Sequence, residues 1–437
     1  MTGGDFRIDA TYRFATPAFI GGAQTDDQSR RDVRFSVDGF RGILRFWWRA
    51  LVWPECYAAA RGESADDLTR RALQKLHRRE REAFGAAALD RDESSGQSPL
   101  SIVFRGFRSG RKAAAGQALS ADGTGIAGAR RHRLDVGARY LGFGLVHAFG
   151  QNGGELARAC LTTGTEFDLT LRFAMGREGE RASVIGALKL MAMLGGLGAR
   201  SRRGWGSLAL TSLAQRGGAA LWQAPTTREA YMQTLRSLLP SPLPDQSPPF
   251  TALWQNMRIE VVDQASLAVP LLGKIGHAMQ RHRAWGQQGR VGEMPSEKNF
   301  ENDHDWFRRP ELRILNNWVP RRAAYGLPQN YSKDVGVSPA GSSDRRASPL
   351  FIHIHRLAEH DHLAVLAFLP ADFLSDDQVA LNHRGRYGSA NPSVRPMPAD
   401  WPDVIHELFD GPPTRNPRAS ALPPYFANRH PVFDRGA

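Results

Sequence analysis

The chain has 437 residues, and its 57 lysines and arginines exceed its 44 aspartates and glutamates, which gives a formal net charge of +13. That length allows two buried cores, and the basic excess suits a nucleic acid, an anionic membrane or an acidic protein as partner, unless the charges only face solvent. Cys56 and Cys160 lack the spacing of a disulfide framework or a thiolate zinc site, and neither a secretory signal nor a long apolar run is present. We therefore expect a cytoplasmic protein with no membrane segment, no metal and no other cofactor.

The first half of the chain has the hydrophobic periods of a mixed fold. Strands are expected at residues 6–14, 100–107, 165–173 and 205–211. Helices are expected at 42–53 and in the residues before Gly195, and an inserted helix from the capping box Ser64-x-x-Asp67 to Phe84. The Gly/Ala/Ser-rich segment 110–128 is expected to be mobile. Without the insertions, the order strand, helix, strand, strand, helix, strand predicts a ferredoxin-like or RRM-like domain.

A loop at residues 194–206 holds five glycines and three arginines in thirteen positions. Glycine allows close approach of the backbone, whose N–H groups can meet phosphate oxygens, and Arg200, Arg202 and Arg203 add positive charge. The loop follows a helix and precedes a strand, and it lacks both the Walker pattern and the dinucleotide fingerprint. Two readings remain: a binding loop for a polyanion, and a solvated turn whose arginines face water.

The helix expected at 42–53 carries a stripe of three arginines. Arg41, Arg45 and Arg49 recur every four residues, so successive members rise by about 6 Å, a spacing comparable with that of phosphates along an extended single strand. In a domain of this strand order both helices pack on one face of the sheet, so we predict that the stripe and the glycine loop form one surface. The alternative is an amphipathic helix that shows its arginines to water.

A second domain is expected to follow the first, with a boundary near residue 222. The expected domains are 1–222 and 223–437. Helices are expected at 226–239, 271–283 and 401–409, and strands at 257–262, 348–356 and 362–369. The chain after Gly388 is rich in proline and arginine, and we expect much of this C-terminal tail to be disordered or to lie on a partner.

Three segments, taken in order, resemble one family. They are Thr16–Gly22 with Phe40–Leu51, Gly195–Gly206, and Arg345–Leu350. They are similar to the RAMP superfamily, and most like the first subunit of the Cmr complex, the type III-B CRISPR effector. The resemblance implies an α+β fold of two ferredoxin-like or RRM-like (βαββαβ) domains with insertions. It also implies an RNA-binding structural subunit at the head of a ribonucleoprotein in antiviral defence, with CRISPR RNA, target single-stranded RNA and other Cmr subunits as partners.

The resemblance further implies which residues contact RNA. In the glycine loop they are Gly195, Gly196, Gly198, Arg200, Arg202, Arg203 and Gly204. Trp205 either stacks on a base or covers the helix. The flanking positions are Arg41, Arg45 and Arg49 of the stripe, and Arg345 and Arg346 of the third segment.

The alternative function is an endoribonuclease, because relatives in the same superfamily cut RNA. Asp26 and Asp27 lie in the loop after the first strand, where some relatives place a catalytic aspartate, and either could equally be part of a solvated loop. His353 and His355 share one face of a strand and could transfer protons, but alternating histidines are also common as buried polar contacts. No coherent metal or acid–base cluster is present, so we expect a binding subunit without a catalytic site.

Overall fold

The computed structural model describes residues 6–21, 32–61, 67–85, 98–129, 133–148, 150–174, 178–284, 290–291, 294–295, 297–300, 302–303, 319–332, 335–341, 345–372, 374, 378–385, 388–389, 393–411 and 424–434. The α-helices are α1 Val37–Arg61, α2 Leu68–Phe84, α3 Val136–Leu141, α4 Glu178–Leu194, α5 Arg228–Leu238, α6 Ala268–Arg283 and α7 Trp401–Asp410. The strands are β1 Phe6–Phe14, β2 Leu100–Arg108, β3 Lys112–Ala113, β4 Cys160–Leu161, β5 Glu166–Phe173, β6 Leu208–Gln215, β7 Arg258–Ala265, β8 Arg290–Val291, β9 Met294–Pro295, β10 Gln329–Ser332, β11 Val335–Pro339, β12 Leu350–Ala358, β13 Asp361–Phe368, β14 Gln378–Gly385, β15 Gly388–Ser389, β16 Ser393–Pro396 and β17 His430–Phe433. These strands pair antiparallel, so the fold is mixed α+β.

The first sheet has the strand order β2-β5-β1-β6. In its centre Ile8 of β1 pairs with Leu171 of β5. Alternate residues of β1 are buried, because one face of the strand packs against helices. On that face the Tyr12 hydroxyl donates to the carbonyl of Leu188 in α4 (3.1 Å), and its ring lies 5.9 Å from that of Phe40 in α1. The two helices therefore cover the same side of this sheet.

The second sheet has the strand order β12-β13-β7-β17. The Phe368 ring of β13 packs edge-on against Trp401 of α7 (6.0 Å between centroids). In both sheets, counted along the chain, the order is second, third, first, fourth strand, and a helix follows the first and the third. A smaller sheet joins β10, β11, β14, β15 and β16.

The two sheets share one apolar core. A single cluster of buried residues includes Ile8 of the first sheet and Val365 of the second. The Tyr231 hydroxyl of α5 donates to the carbonyl of Met193 in α4 (2.6 Å), and its ring lies 4.5 Å from that of His355 in β12. Residues on either side of position 222 therefore pack together closely, with α5 as the element that links them.

The expected strands at 6–14, 100–107 and 165–173, the hairpin at 348–369 and the helices at 226–239 and 401–409 are confirmed within a few residues. Helix α1 is longer than expected, because Cys56 and Tyr57 continue its buried face beyond Pro54. Helix α2 begins later than expected: Asp67 is its N-cap and accepts from the N–H of Arg70 (3.2 Å), while Ser64 lies outside the described residues. Strand β6 starts only at Leu208, since the residues before it belong to the glycine loop.

The expectation of a mobile segment at 110–128 was wrong, and the C-terminal tail contributes more than its expected helix at 401–409. The segment 110–128 is ordered by backbone hydrogen bonds, for example from Gly116 N to Leu156 O (2.8 Å). The chain after Gly388 supplies α7 and the edge strand β17 of the second sheet, so that part of it belongs to the fold. None of the described helices is long and apolar enough to cross a membrane.

Candidate nucleic-acid interface

The glycine loop, residues 195–206, leaves α4 and is held on both sides by backbone hydrogen bonds. In the segment after β1, the carbonyls of Pro17 and Phe19 accept from Gly206 N and Ala199 N, each at 2.9 Å. On the opposite side Ile352 N of β12 donates to the carbonyl of Arg202 (2.9 Å). The loop therefore lies between the first and second sheets, with its backbone fixed by both.

The glycines of this loop serve close packing against protein. Gly198 and Gly204 have φ angles of +103° and +81°, which favour glycine. A Cβ at Gly198 would lie 2.5 Å from the carbonyl oxygen of Phe19, and one at Gly204 would lie 2.5 Å from Leu272. Gly195 and Gly196 are equally confined, by the backbone of Met191 and that of Gly206. The glycines were expected to let the backbone approach phosphates, but protein atoms occupy the space that the four missing side chains leave. Contact of these glycines with RNA stays a prediction.

Protein contacts hold two of the three loop arginines, Arg202 and Arg200, in place. The Arg202 guanidinium lies over the rings of Phe46 (5.2 Å) and Phe351 (4.6 Å), and its Nη1 donates to the carbonyl of Ser348 (2.6 Å). Arg200 is exposed, and its Nε donates to the carbonyl of Phe143 (3.2 Å). Stacking and these hydrogen bonds fix both guanidinium groups before any ligand binds.

The loop arginines form one wall of a cleft of about 790 Å³. Seven arginines line this seven-arginine cleft: Arg200, Arg202, Arg203, Arg283, Arg322, Arg345 and Arg346. No aspartate or glutamate is among the described residues that line it. The structure thus brings the predicted Arg345 and Arg346 next to the glycine loop. It also adds Arg283 and Arg322, which the sequence analysis missed.

The arginines of the cleft oppose one another electrostatically. Burial lowers the pKa of Arg202 to about 10, and the Arg346 charge acts in the same direction. Burial also lowers the pKa of Arg203 to about 10, and the charges of Arg283 and Arg200 lower it further. For Arg200 the pKa falls because of burial and then because of Arg345. Partly desolvated like charges of this kind are relieved by a bound anion, and planar guanidinium groups bind phosphate through paired hydrogen bonds.

Comparison with known proteins finds a family likeness in the first part of the chain. Residues 11–103, which run from β1 through α1 and α2 into β2, match the model of the RAMP superfamily. The resemblance drawn from the three sequence segments is thereby confirmed.

The fold of the chain is similar to that of Cmr1 from Pyrococcus furiosus in its apo form. The TM-score is 0.51 at 15% identity, and the match covers 98% of this chain and 99% of that chain. A chain of the type III-B Cmr-beta complex bound to cognate target RNA matches with a TM-score of 0.47 and 10% identity, over 93% of this chain and 99% of that one. No curated protein sequence matches the chain.

The arginine stripe lies against α2. Arg45 Nε and Arg49 Nη2 each lie 2.7 Å from Oε1 of the buried Glu80. Neither they nor Arg41 line the seven-arginine cleft. The α1 residues that line a smaller pocket with the glycine loop are Gly42, Ile43, Phe46 and Trp47. The predicted common surface of stripe and glycine loop is therefore only partly present, because the Glu80 carboxylate pairs with two of the three stripe arginines. RNA contact by the stripe stays a prediction.

Trp205 is a core residue. Its side chain is fully buried, and its ring packs edge-on against Phe19 (5.4 Å between centroids) and beneath Gly142. A ring without exposed surface cannot stack on a base, so Trp205 is removed from the predicted RNA contacts. It supports the loop from below.

His353 and His355, the candidates for metal-independent catalysis, are buried. His353 Nδ1 donates to the carbonyl of Gly195 (2.9 Å), which fixes the end of α4 where the glycine loop begins. Burial lowers the pKa of His353 to about 3, and it lowers that of His355 well below its usual value. Both are therefore neutral supports of the loop, out of reach of a substrate.

The other catalytic candidates, Asp26 and Asp27, lie outside the described residues. Within the described ranges, no three His, Cys, Asp or Glu side chains come close enough together to hold a metal ion.

The buried histidines predict that the stability of the protein falls in mild acid. Burial lowers the pKa of His282 and His353 to about 3 and lowers that of His355 well below its usual value, whereas each is near 6.5 in the unfolded chain. Below pH 6.5 the unfolded state binds more protons, so the free energy of unfolding is expected to fall by about 1.4 kcal/mol per pH unit for each histidine. Denaturant titrations at pH 7, 6 and 5 measure this, and His353→Gln should remove about one third of the slope. Stability that stays constant from pH 7 to 5 would contradict it.

Proposed function

We propose that the chain is an RNA-binding structural subunit of a type III-B CRISPR (Cmr) ribonucleoprotein, and that the seven-arginine cleft holds the phosphates of CRISPR RNA or target RNA. The observation that carries the proposal is the cleft itself, where seven guanidinium groups meet without a carboxylate among the described lining residues. Arginine-rich concave surfaces of this kind attract the sugar–phosphate backbone. The match of residues 11–103 to the RAMP superfamily model and the Cmr1-like fold over nearly the whole chain support the assignment to such a complex.

We further propose that the chain is built of two ferredoxin-like or RRM-like units, at 1–222 and 223–437. The shared strand order of the two main sheets, with helices after the first and third strands, supports this. The cleft lies where the units meet, since the glycine loop comes from the first and Arg283, Arg345 and Arg346 come from the second. Other Cmr subunits and a place at the head of the complex are part of the proposal through the family resemblance.

The proposal predicts binding of single-stranded RNA that depends strongly on salt and weakly on sequence. With about five phosphate contacts, the logarithm of the affinity should fall with the logarithm of the salt concentration with a slope of about −3.5. Affinity would then fall about 100-fold between 50 and 200 mM salt. Fluorescence anisotropy with a labelled RNA of mixed sequence measures this. An affinity that is independent of salt, or no binding at all, would overturn the proposal.

The same protein is expected to leave RNA intact. The two candidate histidines are buried and neutral, so this pair cannot transfer protons to a substrate in the cleft. Incubation of labelled RNA with and without divalent metal tests this. Metal-dependent cutting that disappears in Asp26→Ala or Asp27→Ala would show that the protein is a nuclease and would overturn the proposal of a binding subunit.

A further inference from the structure

The ring of Phe143 stands exposed at the edge of the seven-arginine cleft. Its side chain is 58% exposed, more than any other large apolar side chain that the described residues expose. Isolated apolar side chains on a surface are ordinary, but this one borders a cleft whose other walls are cationic. Its position therefore pairs an aromatic face with guanidinium groups.

The turn that carries Phe143 is rigidly mounted. It follows α3, which packs tightly on α6 because the backbone of Gly137 approaches Gly273 and Gly276. A Cβ added at Gly137 would lie 2.1 Å from the carbonyl oxygen of Gly273, and one added at Gly276 would lie 2.0 Å from that of Gly137. The carboxylate of Asp135 at the start of α3 lies 2.8 Å from His277 Nε2 on α6. The distance between this ring and the cleft is thus fixed by the fold.

The turn is also joined directly to the glycine loop, because the Phe143 carbonyl accepts from Arg200 Nε (3.2 Å). A nucleotide presents a flat base a short distance from its phosphate, and this turn presents a flat ring a short distance from an exposed guanidinium. An acidic protein partner would match the arginines only, and one ring is far smaller than the apolar patches that dock proteins.

We propose that Phe143 is a stacking platform for one unpaired base of the RNA whose phosphates occupy the cleft. The inference rests on the proposed function and adds a contact to a base, which requires a single-stranded segment at this point because a base inside a duplex has both faces covered by its neighbours. Every base has a π-face, so the contact adds affinity with little preference for sequence. Arg200 and Phe143 together then hold one nucleotide by phosphate and base.

The test uses the full-length protein and single-stranded RNA that carries 2-aminopurine at successive positions. Phe143→Ala and Phe143→Leu should each weaken binding about 5- to 100-fold, and Phe143→Trp should restore it, because stacking needs an aromatic face. The slope of affinity against salt should stay that of the wild type, since no charge is lost. Binding should quench 2-aminopurine at one position in the wild type but not in Phe143→Ala. The matched control is Ile126→Ala, which removes another exposed apolar side chain outside the cleft and should bind like the wild type.

The outcomes separate the two proposals. If RNA binds with a steep salt slope but Phe143→Ala binds as well as the wild type, or if duplex RNA binds as tightly as single-stranded RNA, the stacking proposal is wrong and the cleft still stands. If the wild-type protein does not bind RNA, the proposed function fails and the stacking site fails with it.

Discussion

Reversing the charges of Arg200 and Arg345 is expected to weaken RNA binding more than 100-fold at low salt. Both side chains are exposed on the cleft and lie close enough for Arg345 to lower the pKa of Arg200. A hydrogen bond to a charged group contributes about 1.5–3 kcal/mol, and glutamates would add repulsion of the phosphates. The loss of two contacts should also reduce the salt slope by about 1.4. Anisotropy titrations of Arg200→Glu/Arg345→Glu at several salt concentrations measure both effects.

The matched control is Arg78→Glu/Arg111→Glu, at two exposed positions outside the cleft, which changes the net charge by the same amount. It should lower the affinity by much less, through the long-range field alone. Arg70 and Arg79 of α2 are unsuitable because Arg70 pairs with the N-cap Asp67 (2.6 Å) and Arg79 pairs with Glu55 (2.6 Å) and Glu180 (3.1 Å). Equal losses in cleft and control variants would mean that overall charge, and not the cleft, explains binding.

Replacing Arg258 by methionine is expected to cost about 3 kcal/mol in the free energy of unfolding. Arg258 lies almost fully buried in β7, 2.6 Å from the buried Glu260, and it makes two hydrogen bonds of 2.7 Å to Asp410 of α7. Removal of one partner leaves a buried carboxylate without its main counter-charge, which is strongly destabilising. Denaturant titration of the variant against the wild type measures the loss.

Arg216→Met provides the control for this prediction. Arg216 pairs with Asp9 at 3.2 Å, but both side chains are about half exposed, and such pairs contribute no more than about 1 kcal/mol. A loss in Arg258→Met that is no larger than the loss in Arg216→Met would contradict the role assigned to the buried pair. It would also show that α7 and the residues after Gly388 add little to the second sheet.

The sequence predicts the parts of this fold that local patterns determine. The alternation in β1 and β5 and the two glycines that end α4 identify the elements around the glycine loop without any knowledge of the tertiary structure. The sequence also shows that the three arginines of the glycine loop concentrate positive charge beside a turn. The RAMP segments added Arg345 and Arg346, which the structure places in the same cleft.

Long-range pairing accounts for what the sequence could not predict. The partner of Arg45 and Arg49 is Glu80, on a different helix, so a stripe that looks free in sequence is partly neutralised in the fold. Arg283 at the end of α6 and Arg322 join the cleft only because α6 packs against the glycine loop, with Leu272 against Gly204. The role of the glycines was likewise out of reach, since it depends on Phe19 and Leu272, which approach from distant parts of the chain.

Photochemical crosslinking tests the central claim most directly. Single-stranded RNA with 4-thiouridine at random positions is bound to the full-length protein, irradiated, and the crosslinked peptides are identified by mass spectrometry. The cleft predicts crosslinks concentrated at residues 139–144, 200–203 and 345–348, and their loss in Arg200→Glu/Arg345→Glu. Crosslinks confined to α2 or to other surfaces outside the cleft, and unchanged in that variant, would contradict the account.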